Sequence, residues 1–262
     1  MSKLFIKNNI DKVVDIVNSF QDNHKKLLYN NFYGIQKNKE YDVLQGDHTL
    51  LLRIAEYNYY RLFVMSADKI ELISFLKQLE LQGYVINIPT KQSIEDWEEV
   101  LINGGFSHYT TYSHYCNNAI ATMKKVPTTL NQYANIQDLE DVHNVLFRNF
   151  TTYASHLPSD DELIEMIKGN RVFVNRDSQG KVCGVNIYTI TGKTAYGNAW
   201  VDEGGRGLEL MFDMLNCFID HDVKRYVFWV RDDNKNVIKM HKMLGGVTDG
   251  LKDYTYLKNI NF

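Results

Sequence analysis

The chain has 262 residues, of which 44% are hydrophobic and 23% charged, and its formal net charge is −3. This length and composition are typical of a globular protein with one large domain or two small ones. The weak negative charge favours neither nucleic acid nor an anionic membrane as a partner. No apolar run approaches the ~20 residues of a membrane-spanning helix. The three cysteines, Cys116, Cys183 and Cys217, are scattered without metal-ligand spacing, so we expect no bound metal and a reduced, cytoplasmic location.

Apolar runs and turn residues predict the elements of the N-terminal half. In chain order, we predict strands over 50–55 and 59–65, a helix over 68–81, a strand over 84–88, a helix over 93–102 and a strand over 109–115. Ser93 with Asp96 three residues later resembles a capping box for the second of these helices. That helix stops at Gly104-Gly105, before a tyrosine-rich strand.

The C-terminal half has stronger patterns. In chain order, we predict helices over 139–149 and 159–167, strands over 171–174, 182–190 and 195–201, a helix over 207–220, a strand over 226–230, a short helix that carries His241 and a strand over 254–257. The three consecutive strands have hairpin spacing, which predicts antiparallel pairing. The run 226–230 is apolar without alternation, as in a strand covered on both faces. The crossover through helix 207–220 therefore predicts a parallel strand pair.

A glycine-rich turn lies between a strand and a helix. The strand ends in Trp200-Val201, and the turn Gly204-Gly205-Arg206-Gly207 precedes Leu208. Such a turn directs several backbone N–H groups at one point beside the positive end of the helix dipole. This arrangement predicts a binding site for a diphosphate.

The two halves end alike, with a helix, a Gly-Gly pair and a strand that contains tyrosines. Gly104-Gly105 precedes Tyr109, and Gly245-Gly246 precedes Tyr254. We interpret this as an internal duplication, with 117–132 as linker. The predicted domains are 1–125 and 126–262.

Residues 133–257 resemble the GNAT superfamily of N-acyltransferases, whose order of elements matches the predicted one. The family's acyl-CoA loop has the form Gln/Arg-x-x-Gly-x-Gly/Ala. Gly205-Arg206-Gly207 fits the Gly-x-Gly, in a shorter loop without the Gln/Arg. A rival register aligns Arg206 with the family arginine but places Glu209 and Met211 at the glycine positions, so we prefer the first.

The segment from Asn234 to Gly246 resembles a second family pattern, Asn-x-x-Ala-x-x-x-Tyr-x-x-x-Gly-Phe. Asn234 matches the asparagine that contacts the cofactor. His241 falls where the family usually has a tyrosine that protonates the leaving CoA thiolate. Histidine is able to carry a proton near neutral pH. The alternative is a core histidine that bonds a backbone carbonyl.

The resemblance implies an α/β (α+β) fold with a mixed, mostly antiparallel twisted sheet of GNAT type, in a tandem degenerate repeat. It implies acetyl-CoA as cosubstrate and direct transfer of the acetyl group to the amine of a small-molecule acceptor. The implied cofactor-binding residues are Trp200, Val201, Gly204, Gly205, Arg206, Gly207, Leu208 and Asn234. The expected catalytic residues are His241 as acid and Glu203 as base, with Asp202 and His156 as rivals. Phe150, Tyr153 and His156 are expected to line the acceptor site.

The N-terminal half looks like a copy without a cofactor site. Ser66-Ala67-Asp68 holds the place of the cofactor loop and contains no glycine. Val100 stands where His241 does when the two Gly-Gly pairs are aligned. Two alternatives remain open: a non-catalytic GNAT-like module that binds acyl-CoA or a protein, and an aminoacyl transferase. The acceptor's identity, the acyl chain length and the oligomeric state also stay open.

Overall fold

The computed structural model describes residues 5–36, 39–130, 132–155 and 157–260. The chain forms two compact units. The first comprises the residues up to Thr111 together with those from Lys252, and the second comprises Tyr112–Leu251. The predicted domains, 1–125 and 126–262, are bounds of the repeats along the sequence, and each compact unit includes a short stretch of the other predicted domain.

The elements of the first repeat are β1 (Ile6–Asn8), α1 (Ile10–Asn23), β2 (Tyr29–Asn30), β3 (Tyr41–Gln45), β4 (Thr49–Glu56), β5 (Tyr59–Ser66), α2 (Lys69–Lys77), β6 (Gly83–Thr90), α3 (Glu95–Asn103) and β7 (Ser107–Asn117). Those of the second are α4 (Leu139–Asn149), α5 (Asp160–Lys168), β8 (Val172–Arg176), β9 (Val182–Thr191), β10 (Thr194–Asp202), α6 (Gly207–Asp220), β11 (Arg225–Arg231), α7 (Lys235–Met243) and β12 (Val247–Lys258). Short 3₁₀ turns cover Ala119–Thr122 and Ile136–Asp138.

The sheet of the first unit has the strand order β1-β3-β4-β5-β6-β12, and β2 pairs with β5. Its pairs are antiparallel, except that β5 and β6 run parallel. One face packs against α2 and α3 through a cluster around Leu72, Val100 and Tyr256. The other face packs against α1 through Val13, Val17 and Phe20. Both predicted helices and the predicted strands from residue 50 onward are present, although α2 ends at Lys77, before the predicted residue 81.

In the second unit the strand order is β7-β11-β10-β9-β8. The meander of β8, β9 and β10 is antiparallel, and β10 and β11 run parallel, as predicted. The apolar side of α6 packs on one face of this sheet, with Leu210, Met214 and Phe218 buried. The helices α4 and α5 pack on the other face through Val142 and Leu163.

Each sheet is completed by a strand from the other repeat. Residues 84–90 of β6 pair antiparallel with 252–258 of β12, so the end of the chain closes the first sheet. Residues 226–231 of β11 pair antiparallel with 112–117 of β7, so the last strand of the first repeat closes the second sheet. The same mixed, mostly antiparallel arrangement of strands therefore occurs in each unit, as a tandem repeat with exchanged closing strands.

The helix ends correct the alignment of the two repeats. Gly105 after α3 and Gly245 after α7 have positive φ angles of 88° and 89°, the left-handed conformation that glycine adopts readily at helix C-termini. The next amide donates back to Leu101 O in the first repeat and to His241 O in the second. Leu101, not Val100, is thus the counterpart of His241. The predicted capping box at Ser93 is also wrong, because the N-cap of α3 is Ile94 and makes no side-chain cap.

Candidate functional site

The parallel strands of the second unit part after three residue pairs. They pair from Thr194 opposite Arg225 to Tyr196 opposite Val227, and no further. On the other side of β10, the register with β9 shifts between Gly197 and Ala199, which is the irregularity of a β-bulge and re-aims the strand. We call the space between residues 197–202 of β10 and 228–231 of β11 the second-unit gap.

A buried tyrosine helps to fix the point where the strands part. The Tyr226 side chain is buried on β11, and a Cβ built on Gly197 would lie 2.5 Å from its hydroxyl oxygen. Only glycine allows this approach of ring to backbone. The sequence therefore places a glycine at the base of the second-unit gap.

The glycine turn lies at the end of β10, where α6 begins. Gly205 has a positive φ of 77°, and a Cβ built on it would meet nothing within 4 Å. Among the described residues, no group accepts a hydrogen bond from the backbone N–H of Gly205, Gly207 or Leu208. These amides remain available to a ligand at the start of a helix, where the dipole favours an anion. Trp200 supports the turn, because its indole N–H donates to the Gly207 carbonyl over 3.1 Å.

Asp202 stabilises the glycine turn by hydrogen bonds. Its carboxylate accepts a hydrogen bond of 2.7 Å from the Asn175 amide and one of 2.5 Å from the Arg206 backbone N–H. Side chains at two neighbouring glycines would disturb this arrangement, because a Cβ on Gly184 would reach the Asp202 carboxylate and a Cβ on Gly204 would reach the Asn175 amide. The backbone N–H of Arg206 is therefore already hydrogen-bonded within the protein. Sequence reasoning missed Asn175 because it lies on β8, 27 residues away.

The Arg206 guanidinium faces along α6. Its Nε and Nη2 donate to the two carboxylate oxygens of Glu209 over 2.9 and 2.8 Å, and Nη2 also bonds the Thr129 hydroxyl. Arg206 and Thr129 together hold the pKa of Glu209 at about 2. In this arrangement the arginine neutralises a carboxylate in the first turn of the helix.

Glu203, the predicted base, is held in an ion pair. Its carboxylate accepts two hydrogen bonds from Arg148, of 3.0 and 2.6 Å, and one of 2.6 Å from the Asn149 amide. These hydrogen bonds lower the pKa of Glu203, and those from Arg148 have the largest effect. A carboxylate stabilised in its charged form is a weaker base.

The His241 ring lies between aromatic rings from both sides of the second-unit gap. It stacks on Phe228 with centroids 3.9 Å apart and meets Trp200 edge-on at 6.0 Å. The side chain is only 5% exposed, and burial lowers the pKa of His241 to about 4. Within the described ranges, no hydrogen bond joins this imidazole to a carbonyl. The core-histidine alternative thus holds for its burial but not for its expected partner.

The remaining predicted residues are distributed as follows. Asn234 is the N-cap of α7 and accepts a hydrogen bond from the Val237 N–H. Val201 is half-buried against the cluster beneath α4 and α5, and Phe150 packs against the same cluster at the end of α4. Tyr153 is half-buried in the turn that follows. His156 lies outside the described residues.

Metal-binding clusters and membrane-spanning helices are both absent from the described part of the chain. No group of three or more His, Cys, Asp and Glu side chains there is placed to hold a metal ion. None of the helices in the same ranges has the length and apolar character needed to cross a membrane.

Structural comparison identifies the architecture. A tandem GNAT protein from the clavulanic acid biosynthesis pathway, solved without AcCoA, aligns with a TM-score of 0.59 and 12% identity over 99% of each chain. The fold is the GNAT fold, in two copies. A GCN5-related N-acetyltransferase from Sphaerobacter thermophilus aligns with a TM-score of 0.55 and 8% identity over 86% of this chain and 82% of that one.

A GNAT-family acetyltransferase from Colwellia psychrerythraea gives a TM-score of 0.53 and 9% identity over 97% of this chain and 98% of that one. No protein-family model matches the sequence, and no curated protein matches it significantly. The GNAT likeness is therefore one of fold.

Proposed function

We propose that the chain is an acyl-CoA-dependent N-acyltransferase with one working site, in the second GNAT unit. The observation that carries this proposal is the combination of a parted parallel strand pair with free amides at the start of α6. An extended thioester arm fits between parted strands, whose unpaired backbone groups offer hydrogen bonds. The amides of Gly205, Gly207 and Leu208 suit a diphosphate. The proposed donor is acetyl-CoA, and the acceptor is a small amine.

The proposed chemistry is direct attack of the amine on the thioester carbonyl. The thioester supplies an activated acyl group, and backbone N–H groups near Trp200-Val201 would polarise its carbonyl. His241 enters as a neutral N–H donor toward the leaving sulfur, since a pKa of about 4 leaves its ring uncharged at neutral pH. Glu203 is too well paired to be a strong base, so the acceptor's proton is expected to leave through water.

A matched pair of glycine variants tests the CoA site. Gly205 and Gly180 both have positive φ, 77° and 83°, and a Cβ on either meets nothing within 4 Å. Valine therefore introduces comparable backbone strain at both positions, but only Gly205→Val places a side chain at the start of α6. Because a charge-assisted hydrogen bond contributes about 1.5–3 kcal/mol, loss of one or two should raise the Kd for CoA about tenfold or more. Gly180→Val should leave it unchanged.

The assay of activity is release of free thiol from acetyl-CoA in the presence of a panel of small primary amines. Turnover with at least one amine is expected, and it should fall with Gly205→Val. Absence of measurable CoA binding by the parent protein in calorimetry would refute the proposal.

A non-catalytic acyl-CoA-binding module is the second candidate. The observation that favours it is the pairing of charged groups near the loop, Glu203 with Arg148 and Arg206 with Glu209. This candidate predicts that one CoA binds per chain, as in the enzyme, but that no amine of the panel causes release of free thiol. Calorimetry with CoA and the thiol-release assay together therefore distinguish the binding module from the enzyme.

A further inference from the structure

The parallel strands of the first unit also part after three residue pairs. β5 and β6 pair from Tyr59 opposite Gly83 to Arg61 opposite Val85, and no further. The number of pairs is the same as between β10 and β11. We call the space between residues 62–66 of β5 and 86–90 of β6 the first-unit gap.

A segment of the chain lies along the β5 side of this gap. Tyr29 and Asn30 form β2, which pairs antiparallel with Met65 and Ser66. The Leu28 N–H donates to the Ser66 carbonyl over 2.8 Å, and the Asn31 N–H donates to the Val64 carbonyl over 3.2 Å. Residues 28–31 therefore take the backbone groups that an extended ligand would otherwise use on this edge.

The Asn31 side chain spans the first-unit gap. Its Nδ2 donates to the Leu62 carbonyl on β5 over 3.3 Å and to the Asn87 carbonyl on β6 over 3.0 Å. Its Oδ1 accepts the Val64 N–H over 2.6 Å. The side chain is 2% exposed, so these are buried bonds whose loss would leave polar backbone groups unsatisfied. One amide thus ties the two parted strands together.

The start of α2 differs from that of α6 in a second, independent way. The Asp68 carboxylate caps α2 by accepting the Glu71 N–H, and the Asp68 N–H donates to the Ser66 hydroxyl. The Ala67 N–H donates to the His48 carbonyl. The Glu71 carboxylate in the first turn accepts the backbone N–H groups of residues 47 and 48. The backbone N–H groups of residues 67, 68 and 71 are therefore already bonded, and the carboxylates of Asp68 and Glu71 lie where the charge of a diphosphate would be.

The described residues of the second unit include no corresponding segment. Among the described residues, no strand pairs with the edge of β10 that faces the second-unit gap beyond Tyr196. We propose that residues 28–31 are an intramolecular ligand of the first unit, which holds its parted strands together in place of acyl-CoA. The identity of the replaced ligand as acyl-CoA rests on the proposed function. The contacts of residues 28–31 do not depend on it.

Hydrogen exchange on the full chain tests the proposal. In the parent, the amides of Leu28, Asn31 and Val64 should exchange as slowly as those of the β4–β5 ladder. Asn31→Ala removes the bonds across the gap and should speed exchange at these amides about tenfold or more, because a lost buried hydrogen bond costs roughly 1–3 kcal/mol. Asn30→Ala is the matched control, since among the described residues the Asn30 side chain bonds only the Phe32 N–H, and it should leave these exchange rates unchanged.

Saturating CoA supplies the second arm. It should leave exchange at Leu28, Asn31 and Val64 unchanged while it slows exchange around Gly205. Fast exchange at residues 28–31 in the parent, or a response of these amides to CoA, would overturn the proposal. Both readouts use the unaltered protein, so they decide even if Asn31→Ala fails to fold. If the protein binds no CoA at all, the proposed function is contradicted. The role of residues 28–31 is then tested by the exchange rates of the parent alone.

Discussion

The imidazole of His241 lies against the phenyl ring of Phe228, with ring centroids 3.9 Å apart and planes inclined by 29°. The contact joins α7 to β11, beyond the point where β10 and β11 part. Burial there lowers the pKa of His241 from 6.5 to about 4. The ring is therefore a neutral aromatic group at pH 7, and this has separate consequences for stability and for turnover.

For stability, we expect His241→Phe to reduce the acid sensitivity of the second unit. As the pH falls below 6.5, the unfolded chain binds a proton at this histidine that the folded protein binds only near pH 4. The free energy of unfolding therefore falls through this window, by about 3 kcal/mol in total. Phenylalanine preserves the stack and removes the titration. Urea unfolding at several pH values between 4 and 7 measures the difference.

The control for this measurement is His143→Phe. His143 also stacks on a phenylalanine, Phe147, at 4.1 Å, but its side chain is 38% exposed. Its replacement controls for the exchange of a stacked imidazole for a phenyl ring at an exposed position. Parallel pH profiles of the parent and His241→Phe would contradict the assignment of a buried, neutral His241.

For turnover, the size of the loss in His241→Phe distinguishes two roles. A proton donor contributes about 10²–10⁴-fold, whereas a neutral hydrogen bond contributes about 1 kcal/mol, or less than about tenfold. We expect the smaller loss, with the Kd for CoA unchanged. Turnover of acetyl-CoA by a correctly folded variant measures it, and a loss of 10²-fold or more would restore His241 as the acid.

Asp253→Asn should change stability in the opposite sense. Burial raises the pKa of Asp253 to about 6, and its buried Oδ1 has no hydrogen-bond partner among the described residues. The folded protein thus holds a proton between pH 3.8 and 6 that the unfolded chain releases, so stability falls as the pH rises through this range.

The asparagine variant should be more stable than the parent at pH 7, because its side-chain oxygen still accepts the Asn87 amide bond and carries no charge. Thermal unfolding at pH 4 and pH 7 measures the effect, and the gain should be present only at pH 7. A variant less stable than the parent at both pH values would show that the Asp253 carboxylate is needed in its charged form.

Local patterns predicted the elements of the second repeat well. The helix that opens at Gly207 and closes at Asp220 has the predicted bounds, because a glycine turn and an apolar stripe are both read from adjacent residues. The first helix was not predicted, although Asn9 caps it and Val13, Val17 and Phe20 follow at helical spacing.

Long-range pairing explains what the sequence left hidden. β2 is two residues long and gains its strand conformation from β5, so no local pattern marks it. The closing strands β7 and β12 contain the predicted strands 109–115 and 254–257 and extend beyond them. The strands with which each one pairs are distant in the sequence and could not be predicted. Likewise, Glu203 was predicted from its place after β10, whereas its partner Arg148 lies 55 residues earlier on α4.

Glu209→Gln should strengthen CoA binding. Glu209 accepts hydrogen bonds from Nε and Nη2 of the Arg206 guanidinium and places a carboxylate in the first turn of α6. A neutral glutamine would release the arginine toward the diphosphate and remove a like charge. A charge-assisted hydrogen bond of about 1.5–3 kcal/mol corresponds to a Kd for CoA about tenfold lower, and the gain should shrink at high salt.

Calorimetry with CoA at low and high salt measures this effect. Glu165→Gln is the control, because Glu165 forms the same type of i,i+3 pair with Lys168 on α5, and it should not alter the Kd. An unchanged Kd in Glu209→Gln would show that Arg206 does not reach the diphosphate.

Glu203→Gln should leave turnover within a few-fold of the parent. Glutamine keeps the shape of the side chain, and its oxygen still accepts a bond from Arg148. A general base would contribute about 10²–10⁴-fold, but Arg148 and Asn149 lower the pKa of Glu203 and so weaken it in that role.

With no strong base at this position, the rate should rise with pH according to the pKa of the acceptor amine. The profile of kcat/KM against pH should therefore move to lower pH with a less basic acceptor, in the parent and the variant alike. A loss of 10²-fold in Glu203→Gln, with a profile independent of the acceptor, would instead identify Glu203 as the base.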